Sequence, residues 1–113
     1  MKEEDDGEKL KKLCEKAQII AGAEMVVLEE RGDFKYYVVK VVSAVKGCTG
    51  GKHLDVLSLP GMELEKGGKY ILMLVETEKS GRKMTKPVDA LKGVLDYDDE
   101  MIKTLSEIVK GSK

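Results

Sequence analysis

The sequence has few of the residues on which several classes of small protein depend. In 113 residues it contains two cysteines, one histidine and no tryptophan. Two cysteines are too few for a disulfide-rich scaffold, and with a single histidine they fall short of the four N or S ligands of a structural zinc site. No apolar stretch approaches the roughly 20 residues that a membrane helix needs. The sequence therefore predicts no membrane span and no metal centre, and none of its motifs indicates a cofactor.

An excess of one charge is also missing. Lysine and arginine together number 20 and aspartate and glutamate 21, which gives a formal net charge of −1. No single-sign field then spreads over the surface to attract a polyanion, which argues against nucleic acid as a partner. Residues 1–7 are nearly all charged and are expected to form a disordered acidic tail. Residues 8–111 hold enough apolar material for one core and are expected to form a single domain.

β-Branched and aromatic residues recur between glycine-rich turns through the middle of the chain. Strands are predicted at residues 19–30, 34–45, 54–59, 70–79 and 82–86, with amphipathic helices before and after them at residues 10–17 and 101–109. Gly22 indicates a bulge or bend, and the unbroken apolar run at 70–75 indicates a strand covered on both faces. Because closure would remove the exposed edges of such long strands, the pattern predicts a mainly β fold, a five-stranded antiparallel OB-type barrel with an N-terminal and a C-terminal helix.

A glycine-rich segment, Gly47 to His53, has the composition of a phosphate-binding loop but not its context. His53 stands where a serine or threonine would bind Mg²⁺, and the segment precedes a strand instead of a helix N-terminus. We interpret it as an inter-strand loop. Loops held by a rigid sheet are common binding surfaces. The predicted binding residues, placed at one end of the barrel, are Gly47, Cys48, Thr49, Gly50, Lys52 and His53, with Met62 from the loop at residues 60–68.

The two cysteines allow two interpretations. Cys14 and Cys48 could form a single disulfide, which would fit a secreted or cell-envelope protein whose leader has been removed, or they could be reduced thiols in a cytoplasmic protein. The charged N-terminus is not itself an export signal. Both locations stay open on the sequence alone.

Two further functions also stay open. A single-stranded nucleic-acid binder could stack bases on Phe34 and Tyr36, although Tyr36 and Tyr37 point to opposite faces of their strand, so at least one of the two is expected to be buried. A thiol-dependent enzyme could use Cys48 as a nucleophile, but it would need a base, an orienting group and a pocket beside it. Both hypotheses rank below an interaction module.

Several segments resemble the netrin-module and tissue-inhibitor-of-metalloproteinases-like group, including its small bacterial members. The segments are Ala17–Gly22, Tyr37–Val39, Val45–Gly47, Leu64–Leu74 and Lys92–Leu95. The resemblance implies an OB-type barrel with packed helices. The inhibitors of that group place an N-terminal Cys-X-Cys on a protease zinc, whereas Cys14 is internal here and no second cysteine follows it. We therefore expect a non-enzymatic interaction or accessory module whose partner is another protein, and no protease inhibition by that route.

Overall fold

A computed structural model of the chain describes residues 11–32, 34–59, 62–79, 81–88 and 93–111. The tail predicted at residues 1–7 lies outside these ranges. The elements in chain order are α1 (residues 11–16), β1 (Ile19–Arg31), β2 (Phe34–Lys46), β3 (His53–Leu57), β4 (Lys69–Lys79), β5 (Arg82–Pro87), β6 (Val94–Asp96) and α2 (Asp99–Gly111). The predicted helices flank the strands as expected.

Five of the strands close into a barrel. Their order is β1-β2-β3-β5-β4, and β4 returns to pair with β1 from Ile19–Leu74 to Glu24–Lys69. β1 is long enough to pair with β2 along one edge and with β4 along part of the other. The predicted OB-type barrel is confirmed.

The expectation of purely antiparallel pairing is wrong. β3 and β5 run parallel and pair at Val56 and Thr85. The reason is one of parity: strand direction can alternate all the way round a closed ring only when the number of strands is even. A five-stranded barrel must therefore contain one parallel pair, and here it is β3–β5, which we call the seam.

The sequence did not predict β6. Its three residues pair with Tyr70–Leu72, on the edge of β4 that β5 occupies further along, from Leu74 to Lys79. A three-residue strand is shorter than the runs of four to eight residues in which alternation becomes visible in a sequence. The sheet thus has six strands, five of them in the barrel.

β4 separates two layers of apolar side chains. Leu72 and Leu74 pack inside the barrel with residues of β1, β2 and β3, whereas Ile71 and Met73 pack outside it, beneath α1 and α2. Each of the four is at most 1% exposed. The prediction that this strand is covered on both faces is confirmed.

A close packing contact explains the glycine in β1. The register of β1 on β2 shifts between Gly22 and Ala23, as expected of a bulge. The ring of Tyr97 lies so close that a Cβ at Gly22 would approach it to 2.5 Å, and the Tyr97 hydroxyl is 2.9 Å from Ser43 Oγ. This contact fixes the chain just before α2 against the β1–β2 ribbon.

Asp98 caps α2. Its Oδ1 accepts a hydrogen bond from the Glu100 N–H at 3.0 Å, and its carbonyl accepts one from the Ile102 N–H at 2.9 Å. The side chain thereby satisfies one of the N–H groups that have no partner within the helix.

Candidate functional site

The β2–β3 connection is held against the barrel by backbone contacts. Gly47 has a φ of +69°, and a Cβ at this position would overlap the carbonyl oxygen of Gln18. The Gly51 N–H donates to the Val41 carbonyl at 2.9 Å, and the Val41 N–H donates to the Lys52 carbonyl at 2.8 Å. Gly47 is therefore required by the chain path and offers no side chain to a partner.

The other predicted binding residues do not form one surface. Those that are exposed are Thr49, Gly50, Lys52 and His53. Met62 is only 6% exposed, belongs to the barrel interior, and its carbonyl accepts a hydrogen bond from the Tyr37 hydroxyl at 3.4 Å. Met62 is therefore not available on the surface where the sequence placed it.

Both cysteines are free thiols, so the structure does not contain the disulfide that the sequence allowed. Cys14 packs in the outer layer, while Cys48 packs against the barrel interior and its Sγ donates to the Ile20 carbonyl at 3.7 Å. Burial raises the pKa of both thiols; the nearby Lys46 ammonium opposes this effect only partly at Cys14, as do backbone hydrogen bonds at Cys48. The reactive thiolate is disfavoured at each site.

An open groove lies at one end of the barrel, where the first residues of β3 and β5 meet the last residues of β4. Beside it the seam pairs Val56 with Thr85, and the Thr85 hydroxyl donates to the Asp55 carbonyl at 2.7 Å. The groove has a volume of about 600 Å³. We call it the β3–β5 groove; it is lined by Ile19, His53, Leu54, Asp55, Glu76, Thr77, Glu78, Lys83, Met84 and Thr85.

The alternation of β4 explains why this groove is polar at its rim. Side chains two residues apart lie on the same face of a strand, so Glu76 and Glu78 continue the inward face of Leu72 and Leu74. The leucines are buried in the barrel interior, and the glutamates are exposed. The inward face of β4 can carry charges only where the barrel is open to water, because an unpaired buried carboxylate would be costly.

Charged side chains line the groove. Those that the structure describes are Asp55, Glu76, Glu78 and Lys83. Across the β4–β5 ladder Glu78 is opposite Lys83, whereas Glu76 is opposite the uncharged Thr85. The Glu78 carboxylate therefore has a basic neighbour on the next strand.

A hydrogen bond fixes the backbone of β4 beside the groove. The Glu76 N–H donates to the side-chain carbonyl Oε1 of Gln18 at 2.6 Å. Gln18 is also tied to the end of the β1–β4 pairing, because its N–H donates to the Leu74 carbonyl at 2.8 Å. The Glu76 side chain therefore projects from a backbone that is held on both sides, by Gln18 and by β5.

A second depression, of about 550 Å³, lies beside the β1–β2 turn. It is lined by Glu30, Gly32, Phe34, Lys35 and residues 57–59. Glu30 and Lys35 are opposite each other on the ladder and form an ion pair at 3.4 Å. Because these charges satisfy each other, this depression offers a partner less than the β3–β5 groove does.

The aromatic residues of β2 are not arranged as a base-stacking platform. Tyr36 is 5% exposed and Tyr37 is 6% exposed, so both tyrosines are buried. The sequence analysis had expected at least one of them to be buried. Phe34 packs against Tyr36, with ring centroids 6.2 Å apart and planes tilted by 34°. Stacking needs an accessible ring face.

Sequence reasoning found one side chain of the groove, His53, and missed the rest. The signal was present in β4, where the buried run of Tyr70 to Val75 continues as alternating Glu76, Thr77 and Glu78. A strand whose inward positions change from leucine to glutamate must leave the core at that point. The position of β5 beside β3 carried no such signal, because it follows from barrel closure.

Neither the family models nor the curated proteins include a match to this sequence. Among the described residues, no group of three or more histidine, cysteine, aspartate or glutamate side chains is placed to hold a metal ion. No helix in the described part of the chain is long and apolar enough to cross a bilayer. The site must therefore be interpreted from its own geometry.

Proposed function

We propose that this protein is a non-enzymatic protein-interaction module that binds a segment of its partner in the β3–β5 groove. The observation that carries the proposal is the groove of about 600 Å³ at one end of the closed barrel, between the first residues of β3 and β5 and the last residues of β4. Rigid strands hold their side chains in place, so a partner is bound without first ordering the site. His53 links this groove to the loop that the sequence singled out.

The thiol chemistry supports an interaction role over a thiol-dependent enzyme. A catalytic cysteine needs a lowered pKa, and burial raises the pKa of both Cys14 and Cys48. The Cys48 Sγ is directed to the Ile20 carbonyl, a hydrogen-bond acceptor that cannot activate it as a base would. Neither thiol is therefore prepared for attack.

We also propose that the chain is a distant relative of the netrin-module and metalloproteinase-inhibitor-like group. The OB-type strand order and the helices packed on one side are compatible with the resemblance of the sequence segments. Protein recognition without catalysis would be the property shared with that group. The internal position of Cys14 still argues against zinc binding in the manner of its inhibitors.

Selection from a display library of random peptides against the immobilised protein tests the interaction role. We expect recovered peptides to bind in solution and to slow amide hydrogen exchange or shift NMR signals at His53–Asp55 and Glu76–Glu78. A library that yields no peptide above background, or peptides whose signals map to α2 or to the β1–β2 turn, would refute the assignment of the groove.

A further inference from the structure

We infer that a second copy of this chain pairs with the last part of β1, so that two molecules form a symmetric antiparallel dimer through residues 28–32 of each. This surface is separate from the β3–β5 groove, and the inference goes beyond the proposed function. It combines three observations: a stretch of strand with a partner on one edge only, the narrow choice of registers beside it, and charges that match in one of those registers.

β1 has a strand partner on only one of its edges beyond Met25, in the part of the chain that is described. β2 pairs with it as far as the turn. On the other edge the ladder with β4 ends at Glu24, and Met25 forms the last backbone hydrogen bonds, with Gly67 at 2.8 Å and Gly68 at 2.9 Å. We call this edge of residues 26–31 the free edge. All of its residues except Val27 are exposed.

The charges of the free edge favour a second copy as its partner. A row of backbone N–H and C=O groups without a strand beside it can pair with another chain, and edge charges of one sign would repel a copy of the same chain. The free edge carries both signs. Glu29 and Arg31 are two residues apart and therefore lie on the same face of β1, opposite the uncharged Tyr36 and Phe34 of β2. Each of these two charges can be matched by the edge of another copy.

The room beside the free edge leaves few registers. In a two-fold antiparallel pair the axis passes beside one residue of each copy, because directly opposite residues are either both hydrogen-bonded or both not. The turn at Gly32 ends one side of the free edge, and the hydrogen bonds of Met25 occupy the other. An axis before Glu29 would carry Gly32 of one copy past Met25 of the other. The axis therefore passes beside Glu29, Glu30 or Arg31.

The charges select the register centred on Glu30. An axis beside Glu29 or Arg31 would place that residue directly opposite its own copy, and like charges in this position are destabilising. An axis beside Glu30 instead places Glu29 of each copy opposite Arg31 of the other, on the same face, which gives two pairs of opposite charge. The two Glu30 carboxylates then approach each other, but each forms an ion pair at 3.4 Å with Lys35 of its own hairpin.

The contact is small, and this sets the strength that we expect. Five residues from each copy are far fewer than the roughly 20–30 on each side of a standard interface. The dimer should therefore be weak and form only at high protein concentration. Low ionic strength should favour it, because salt screens exposed charges.

The experiment is sedimentation equilibrium at low salt, from about 10 μM to about 1 mM protein. We expect the average mass of the wild-type protein to rise with concentration, from that of one chain toward that of two. Glu29→Arg and Arg31→Glu each turn both opposite-charge pairs of the dimer into like-charge pairs. Each substitution alone should therefore weaken self-association by at least about fourfold, since an exposed pair contributes roughly 0.2–1 kcal/mol and a like-charge pair opposes pairing.

An equal mixture of the two variants is the decisive sample. Between Glu29→Arg and Arg31→Glu both pairs are again of opposite charge, so the mixture should form dimers that neither variant forms well alone. Two chains with damaged folds would not repair each other on mixing. Glu107→Arg, an exposed change on α2 with the same change in net charge as Glu29→Arg, is the matched control and should leave self-association unchanged.

Four results would overturn the inference. They are a wild-type mass that stays at one chain throughout, dimers that neither substitution on β1 weakens, a mixture that associates no better than its components, and an equal loss in Glu107→Arg and Glu29→Arg. None of these results bears on the proposed function, because no residue of the free edge lines the β3–β5 groove.

Discussion

Substitution of Thr85 by valine tests the seam of the barrel with a change of few atoms. Valine keeps the β-branched shape and suits a strand, so the main loss is the hydroxyl that donates to the Asp55 carbonyl at 2.7 Å. Thr85 is 7% exposed, so water cannot readily replace that hydrogen bond. Loss of such an intramolecular hydrogen bond costs about 0.5–1.5 kcal/mol.

The expected shift is large enough to measure. An unfolding entropy of about 2.1 cal/mol/K per residue converts 1 kcal/mol to about 4 °C in Tm for a chain of 113 residues, so Thr85→Val should lower Tm by about 2–6 °C. Thr49→Val, in the exposed β2–β3 connection, is the matched control and should change stability by less than about 0.5 kcal/mol. Thermal and urea unfolding followed by circular dichroism measure both. Equal stability of the two variants would refute the hydrogen bond across the seam.

Three further predictions concern residues away from the groove. Gly47→Ala should destabilise the protein by more than about 1 kcal/mol in urea unfolding, because a side chain would strain the positive φ and meet the Gln18 carbonyl; wild-type stability would contradict this. Asp98→Ala should lower the free energy of unfolding by about 1 kcal/mol because α2 loses its cap, whereas Asp98→Asn should keep most of the stabilisation that the cap provides. Cys48 in the folded protein should react with a disulfide reagent more slowly at neutral pH than after unfolding, because burial raises the pKa of its thiol. For the same reason, the reaction rate of folded Cys48 should keep increasing with pH beyond the pH at which the rate of a free thiol levels off. Because its pKa is raised, the Cys48 thiol holds its proton more tightly in the folded protein than in the unfolded chain. Protonation of Cys48 therefore stabilises the fold below the ordinary thiol pKa, and this stabilisation is lost as pH rises through the raised pKa of the folded protein.

Local patterns predicted the elements whose residues report directly on their environment. The apolar run of β4 indicated burial on both faces, and Ile71 and Met73 lie under the helices while Leu72 and Leu74 lie inside the barrel. The bulge at Gly22 was also visible, although the Tyr97 ring that requires it was not. A pattern can show that a residue is buried or kinked without showing which part of the chain covers it.

The remaining features follow from closure and could not be predicted from local patterns. Nothing in β3 or β5 alone indicates that they become parallel neighbours; the five-membered ring imposes it. The same closure buries Met62, which the sequence placed on a binding surface, and brings Glu76 and Lys83 together at one groove. The candidate site was therefore missed except for His53, because it consists of residues that meet only once the barrel has formed.

Nuclear Overhauser contacts between β3 and β5 in solution test most directly whether the five strands close into a barrel. The account predicts close backbone contacts between Val56 and Thr85 across the seam and between Ile19 and Leu74 across β1 and β4. Absence of the Val56–Thr85 contact would mean that the barrel is not closed and that the groove beside it is not formed as described.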